Sequence, residues 1–348
     1  MAIIASSCTP SPEEPEITPS IAPQITPSKS PPTGTSRIPR STEAAARFAA
    51  CVPDTYISSD GVRRRITAFS GLAIVGVHHA YALKADNAAA VEPGWATFSH
   101  VSDLNTPSAV IRNYTVRLKN SAAPYPLGHA NGLEYHRTPG VNALEVGSFY
   151  IPMMKPTGAD QVAQMNGRGE ITKLFKARQG RLNKRIASIT YRGGGEWIVA
   201  SAGESILHPD DPNVILRVFY TASIVGDYFE LEHKFFVPTT RTFNTAQDIA
   251  YDAVNDELLV PVWDGLNSVG TATGRRNRII VVSLGAVVDN KLYRPVRWIN
   301  YTPSEDGVKL FEFEGIDLDS EGRLFLGSNV IRTDEAPCTD AIHEFLED

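Results

Sequence analysis

The sequence predicts an all-β fold, a five-bladed β-propeller carried on a disordered Pro/Ser/Thr-rich N-terminal tether. Three observations predict it. One pattern, a polar or small residue followed by apolar residues at period 2, a turn and a second apolar strand, recurs five times. The recurrences are about 60 residues apart, and no segment shows a helical period of useful length. The first 45 residues have a composition unlike the rest.

The repeat is clearest in "FSGLAIVGVHHAYALK", "HANGLEYHR", "RIASITYRG", "AQDIAYDAVNDELLVPVWDG" and "FEFEGIDLDSEGRLFLGSN". Ser70, Asn131, Ala187, Gln247 and Glu314 hold equivalent positions, spaced 61, 56, 60 and 67 residues apart. The alternating apolar residues that follow are Leu72 and Ile74, Leu133 and Tyr135, Ile189 and Tyr191, Ile249 and Tyr251, and Ile316 and Leu318. "HAYALK", "SFYIPM", "EWIVAS", "ELLVPV" and "RLFLGS" are the second strands. Third and fourth strands are expected in "AVIRNYTVRL", "DQVAQMN" with "EITKLF", "ILRVFYTA" with "YFELEHKFFV", and "NRIIVVSL". A small antiparallel sheet repeated at this period is the signature of a propeller. The last unit is one strand short, so "TYISSDG" or "RRRITAF" from the N-terminal side is expected to complete it. "YRGGGEW" is a hairpin turn, "HPDDPN" an exposed loop, and His78-His79 are turn residues.

Residues 1–45 are expected to be a disordered tether and residues 46–348 the propeller domain. From Thr9 to Arg40 the chain is Pro, Ser, Thr and Glu with almost no aromatic residue. It cannot bury enough apolar surface to offset its ordering entropy. "MAIIASSC" resembles the end of a bacterial lipoprotein signal, which would lipidate Cys8, although no basic region or long apolar run precedes it. Cys51 and Cys338 stand near the two ends of the domain; they either pair in an oxidising compartment or are unrelated thiols.

Charge narrows the partners. Among 348 residues 42% are hydrophobic and 21% charged, with a net charge of −6. That balance argues against nucleic acid, whose phosphates need a basic face. No apolar run approaches the roughly 20 residues of a membrane helix. A monomer acting on a glycan or small-molecule ligand is the expectation, extracellular or tethered at a cell surface, or cytoplasmic if the N-terminus is left unprocessed.

In a propeller the first strand of each blade starts at one mouth of the central axis, and the second strand ends there. Ser70, Asn131, Ala187, Gln247 and Glu314 are expected around that mouth. Two positions earlier stand Ala68, His129, Arg185, Thr245 and Glu312. Second-strand ends bring Lys84, Asp86, Lys155, Glu204, Trp263, Asp264 and Asn329. Convergent polar groups in one concavity are the site hypothesis. Asn131, Arg185, Gln247, Trp263, Asp264 and Glu314 are the candidate ligand-binding residues. Trp263 offers an aromatic face to a sugar ring, and Asp264 accepts hydroxyls. No G-x-S-x-G, H-E-x-x-H, Walker A or C-x-x-C pattern is present. The competing class is a calcium-dependent hydrolase. Glu314, Asn131 and Gln247 would surround an axial Ca²⁺, with His129 or Glu312 as the general base. A purely structural role, in which these residues hydrogen-bond water and exposed carbonyls near the axis, stays open beside both.

At "GHANGLEYH", "TAQDIAYD", "FEFEGIDLDSEGRLFLGSN" and "DAIHEF" the chain resembles the propellers grouped around helveticin J, also labelled teichoic-acid biosynthesis protein C. The resemblance runs roughly from Ser70 to Phe345. It implies a secreted protein acting at bacterial cell surfaces, some members being antibacterial, and carries no catalytic residue onto this sequence. "EGIDLDSEGRLFLGSN" is also similar to the calcium-dependent lactonase and esterase propellers, which implies several carboxylate or amide metal ligands around the axis.

Overall fold

The computed structural model describes residues 37–39, 46–52, 55–57, 63–65, 69–85, 96–104, 111–136, 148–154, 160–240, 248–263, 277–301, 308–332 and 340–346. Among them there are strands and turns and no helix. In chain order the strands are β1 (Ala46–Cys51), β2 (Thr55–Ile57), β3 (Arg63–Arg65), β4 (Phe69–Val75), β5 (His79–Ala85), β6 (Ala96–Val101) and β7 (Ile111–Thr115). There follow β8 (Arg117–Leu118), β9 (His129–Ala130), β10 (Glu134–Tyr135), β11 (Phe149–Met154), β12 (Asp160–Met165), β13 (Glu170–Gln179) and β14 (Leu182–Asn183). Next are β15 (Ile186–Gly193), β16 (Glu196–His208), β17 (Asp211–Val225), β18 (Tyr228–Thr240), β19 (Ala250–Asp252) and β20 (Glu257–Trp263). Last come β21 (Asn277–Ser283), β22 (Lys291–Leu292), β23 (Arg297–Tyr301), β24 (Val308–Leu318), β25 (Leu324–Arg332) and β26 (Asp340–Phe345).

These strands assort into antiparallel runs of four: β4-β5-β6-β7, β10-β11-β12-β13, β15-β16-β17-β18, β19-β20-β21-β23 and β24-β25-β26-β1. We number these runs as units 1 to 5. The first strands touch in cyclic order, β4 with β10, β10 with β15, β15 with β19, β19 with β24 and β24 with β4. The fold is therefore all-β and propeller-like. Units 2 and 3 share one continuous sheet, because their outer strands β13 and β18 pair in parallel.

The core lies between units. Each first strand points its two alternating apolar residues at the preceding unit. Leu72 and Ile74 pack with Phe325 and Ile342. Leu133 packs with Tyr81, Leu83 and Phe98, and Ile189 and Tyr191 with Tyr150, Val162 and Phe175. Ile249 and Tyr251 pack with Ile198, Phe219 and Phe235, and Ile316 and Leu318 with Leu259, Ile279 and Val281. Both faces of every first strand are thus inside, which is why small and aliphatic side chains dominate them.

The structure corrects three expectations of the sequence. The strand that completes unit 5 is β1, "ARFAAC", paired antiparallel with β26 from Ala46 opposite Phe345 to Cys51 opposite Ala341. The expected candidates instead form a separate hairpin, β2 with β3. Within the stretch expected to be tether, Arg37 is docked. Its N–H donates to the Gly322 carbonyl at 3.1 Å, and Ile38 is buried in the apolar cluster between units 4 and 5. Third, the exposed HPDDPN segment is shorter as a loop than expected: β16 runs to His208 and β17 starts at Asp211 opposite it, so only Pro209 and Asp210 form the turn at the tip of a long ribbon. The rest of residues 1–45, Cys8 included, lies outside the described residues.

Candidate functional site

The repeat position defined by the sequence is a structural landmark. In β4 the register shifts between Phe69 and Gly71, in β15 between Ile186 and Ser188, and in β24 between Phe313 and Gly315. Ser70, Ala187 and Glu314 are therefore each the extra residue of a β-bulge, the device that bends a strand and re-aims its side chains. Asn131 falls in the corresponding break between β9 and β10.

The residue after each bulge or break is Gly71, Gly132, Ser188, Asp248 or Gly315. Three are glycine because first-strand backbones meet here. A Cβ on Gly71 would lie 2.6 Å from the Gly132 carbonyl carbon, and one on Gly315 would lie 2.7 Å from the Leu72 nitrogen. Gly132 adopts φ +131°, and a Cβ there would lie 2.5 Å from Asp248 Oδ1. Its N–H donates to the Ser70 carbonyl at 2.7 Å. Unit 4 alone carries a charged group at this level, and its carboxylate fills the space left by the glycine of unit 2.

Asp248 belongs to a set of three buried carboxylates, 1% exposed, with Asp317 at 6% and Glu134 at 4%. Asp248 Oδ1 accepts the Ile249 N–H at 2.9 Å, and the Ile316 N–H of unit 5 also bonds to this carboxylate. Asp317 repeats the arrangement one unit on. Its Oδ1 accepts the Leu318 N–H at 2.8 Å and its Oδ2 the Ile74 N–H of unit 1 at 2.7 Å. Each side chain thus satisfies the unpaired inner-edge amide of the neighbouring first strand. Asp248 Oδ2 makes no hydrogen bond. Burial drives the Asp248 carboxyl well above the usual carboxylate range, and the nearby charges of Asp317 and Glu134 push the same way against the amide of Ile249. Asp248 therefore holds its proton to higher pH than an exposed aspartate does.

The candidate residues are distributed as follows. Asn131 and Glu314 stand at the bulge level of units 2 and 5 and are buried, 5% exposed each. Arg185 is exposed just before β15, and its carbonyl accepts the Ala202 N–H at 2.9 Å. His129 lies opposite Met154, Glu312 opposite Asn329 and Trp263 opposite Asn277. These positions put all three on strands leading to the same end of the sheets. Gln247 and Asp264 lie outside the described residues, as do Ala68, Asp86, Lys155 and Thr245. Among the described residues no group of three or more His, Cys, Asp or Glu side chains is placed to hold a metal ion.

Two expected mouth residues are occupied elsewhere. Lys84 is fully buried and pairs with Asp340 at 2.6 Å, because its strand faces the closing sheet. Glu204 pairs with Lys184 at 2.6 Å and accepts the Tyr220 hydroxyl at 2.7 Å. Sequence reasoning passed over Glu134, Asp248 and Asp317. Their signal was present in "GLEYH", "QDIAYD" and "EGIDLD", where a carboxylate alternates with large apolar residues along a first strand.

No protein-family model matches the chain, and no curated protein sequence matches it. Nothing in these comparisons adds to the resemblance to the helveticin J group. Solved structures align at low identity. A β-fructofuranosidase from Bombyx mori aligns at 7% identity with a TM-score of 0.43, over 84% of this chain and 61% of that one. An α-L-arabinofuranosidase from Lactobacillus brevis aligns at 10% and 0.39, over 85% and 90%. An endo-arabinase from Bacteroides thetaiotaomicron aligns at 10% and 0.36, over 86% and 97%. This chain therefore spans about three fifths of the silkworm enzyme's length.

Proposed function

We propose that the five units are five blades around one axis, and that the protein binds a carbohydrate or similar polyol at the end of that axis where the first strands begin. The observation that carries this reading is the bulge level. Ser70, Asn131 and Glu314 bring a hydroxyl, an amide and a carboxyl to it, and the Asp248 carboxyl lies immediately behind. Hydrogen-bonding groups held rigidly by bulged strands suit hydroxyl groups, which both donate and accept. Trp263, at the end of β20 toward this same end, is the aromatic residue this reading assigns to a sugar ring. The Pro/Ser/Thr-rich segment at the N-terminus fits tethering at a cell surface.

Binding is tested on a glycan array and by pull-down with isolated cell-wall material, using wild type, Glu314→Gln, Asn131→Ala and Trp263→Ala. The reading expects at least tenfold weaker binding for Glu314→Gln and Asn131→Ala, the scale of one or two lost hydrogen bonds to a ligand. Failure of the wild type to retain any glycan, or retention unchanged in all three variants, overturns it.

A further inference from the structure

Away from the axis, the second and third strands of unit 1 bring two imidazoles together; His79, expected in the turn with His78, is the first residue of β5. Tyr81 stands directly opposite His100 across β5 and β6. His79, two residues before Tyr81 on the same face, is therefore the diagonal neighbour of His100. His79 Nδ1 and His100 Nε2 are 3.3 Å apart, and the ring centroids are 5.4 Å apart. We propose that His79 and His100 form a two-imidazole site for a divalent transition-metal ion, Cu²⁺ or Zn²⁺, with water completing the coordination.

The spacing is what carries this. A tetrahedral ion with metal–nitrogen bonds of about 2.0–2.1 Å holds two ligand nitrogens about 3.3 Å apart. With both lone pairs aimed at that ion, the ring centroids fall about 5.2–5.3 Å apart, whereas a straight N–H···N bond would spread them to about 5.7 Å. The observed centroid distance lies nearer the converging arrangement, so little movement is needed. One of the two rings now donates to the other. To ligate, that ring moves its proton to its far nitrogen, leaving a lone pair on both facing atoms with no net proton release.

The site is half prepared and half open. His100 is stacked on Tyr81, centroids 4.5 Å apart and planes 11° apart, which fixes its ring. His79 is exposed, which leaves the remaining positions to solvent. Arg112, opposite His100 on β7, places a positive charge nearby and limits affinity. Imidazole donors favour Cu²⁺ and Zn²⁺ over Ca²⁺ or Mg²⁺. This site is independent of the axial reading.

The test is calorimetric titration of Zn²⁺ into chelator-treated full chain, with electron paramagnetic resonance of the Cu²⁺ form. The expected result is one ion per chain, with two nitrogens coupled to the copper. His79→Ala and His100→Ala should each weaken binding by at least tenfold, since loss of a ligand costs no less than the 10–100-fold seen for outer-shell partners. His78→Ala, in the adjoining turn, should bind as wild type does. If His100→Ala fails to fold, the exposed His79→Ala decides. Binding unchanged in His79→Ala, or a copper spectrum with no coupled nitrogen, overturns the proposal.

Discussion

Unit 5 meets unit 1, and unit 2 meets unit 3, in different ways. The first junction joins residues far apart in the chain and adds specific polar contacts to its apolar core. The Lys84–Asp340 pair is 2.6 Å long, with both side chains essentially inaccessible. Asp317 accepts the Ile74 N–H, the Arg323 guanidinium donates to the Val77 carbonyl at 2.8 Å, and the Phe69 ring occupies the space beside Gly327, where no Cβ fits. The second junction joins neighbours in sequence. It has a buried aromatic cluster of Tyr150, Phe175, Tyr191, Trp197 and Phe229, and at its rim the parallel pairing of β13 with β18, where Arg178 pairs with Glu230 and lies 3.9 Å from the Tyr228 ring centroid. Apolar burial is non-directional and suffices where the chain itself brings two units together. Closing a ring across nearly 300 residues needs contacts that reject a wrong register.

That contrast can be broken or sharpened by measurement. The largest effect is expected from the cysteines, if they pair as the register allows: Cys51 lies opposite Ala341, three residues from Cys338. A bridge closing so long a loop adds on the order of 5 kcal/mol as an upper figure in the chain-entropy model. Intact mass before and after alkylation under denaturing conditions, with and without reductant, detects it. Two free thiols would remove the bridge from the seam. Next, Lys84→Met removes the cation that pairs with the buried Asp340 and should cost about 3–5 kcal/mol, while Lys84→Met with Asp340→Leu should recover most of that loss. Urea unfolding of the single and double variants separates the two, and equal destabilisation would mean that packing, not charge, holds the seam.

A smaller, pH-dependent effect belongs to Asp248, which links unit 4 to unit 5. Its folded carboxyl titrates well above the usual range because it is buried. The folded state therefore holds a proton that the unfolded chain releases near pH 4, and stability falls as pH rises from there to the folded value. Asp248→Asn keeps an acceptor for the Ile249 N–H and removes this titration. Its stability relative to wild type should improve between pH 4 and neutrality, and urea midpoints that stay parallel across that range contradict the assignment. The smallest effect is expected at the rim of the other junction. Arg178→Ala should leave the urea midpoint unchanged within error, because its ion pair with Glu230 faces solvent.

The framework was legible in the sequence because a period-2 pattern repeated every 60 residues leaves few alternatives. The repeat position marked by Ser70, Ala187 and Glu314 is where these strands bulge, a feature only the register reveals. The closing strand was not legible. "ARFAAC" has three alanines and little β preference, whereas "TYISSDG" and "RRRITAF" look better as isolated strands. Pairing with β26 overrides that local preference. The buried carboxylates were missed for a related reason. Alternation usually means one wet face, on which carboxylates such as Asp248 and Asp317 attract no notice, but a first strand packed on both sides has no wet face. Lys84 was misplaced by the same assumption, since the end of a second strand here is covered by the sheet that closes the ring.

The partnership of β1 with β26 bears on how the protein is made. On the ribosome β1 emerges about 290 residues before the strand that pairs with it. At about 5–20 residues per second, the roughly 290 residues between them take about 15–60 s to translate. For that interval the early strand has an open hydrogen-bonding edge, and so does each unit completed behind it. Nascent chains on crowded polysomes are then one edge away from joining each other instead of themselves. A slow translation rate, or a chaperone that holds β1, would alter the yield of correctly closed chains without touching the finished structure.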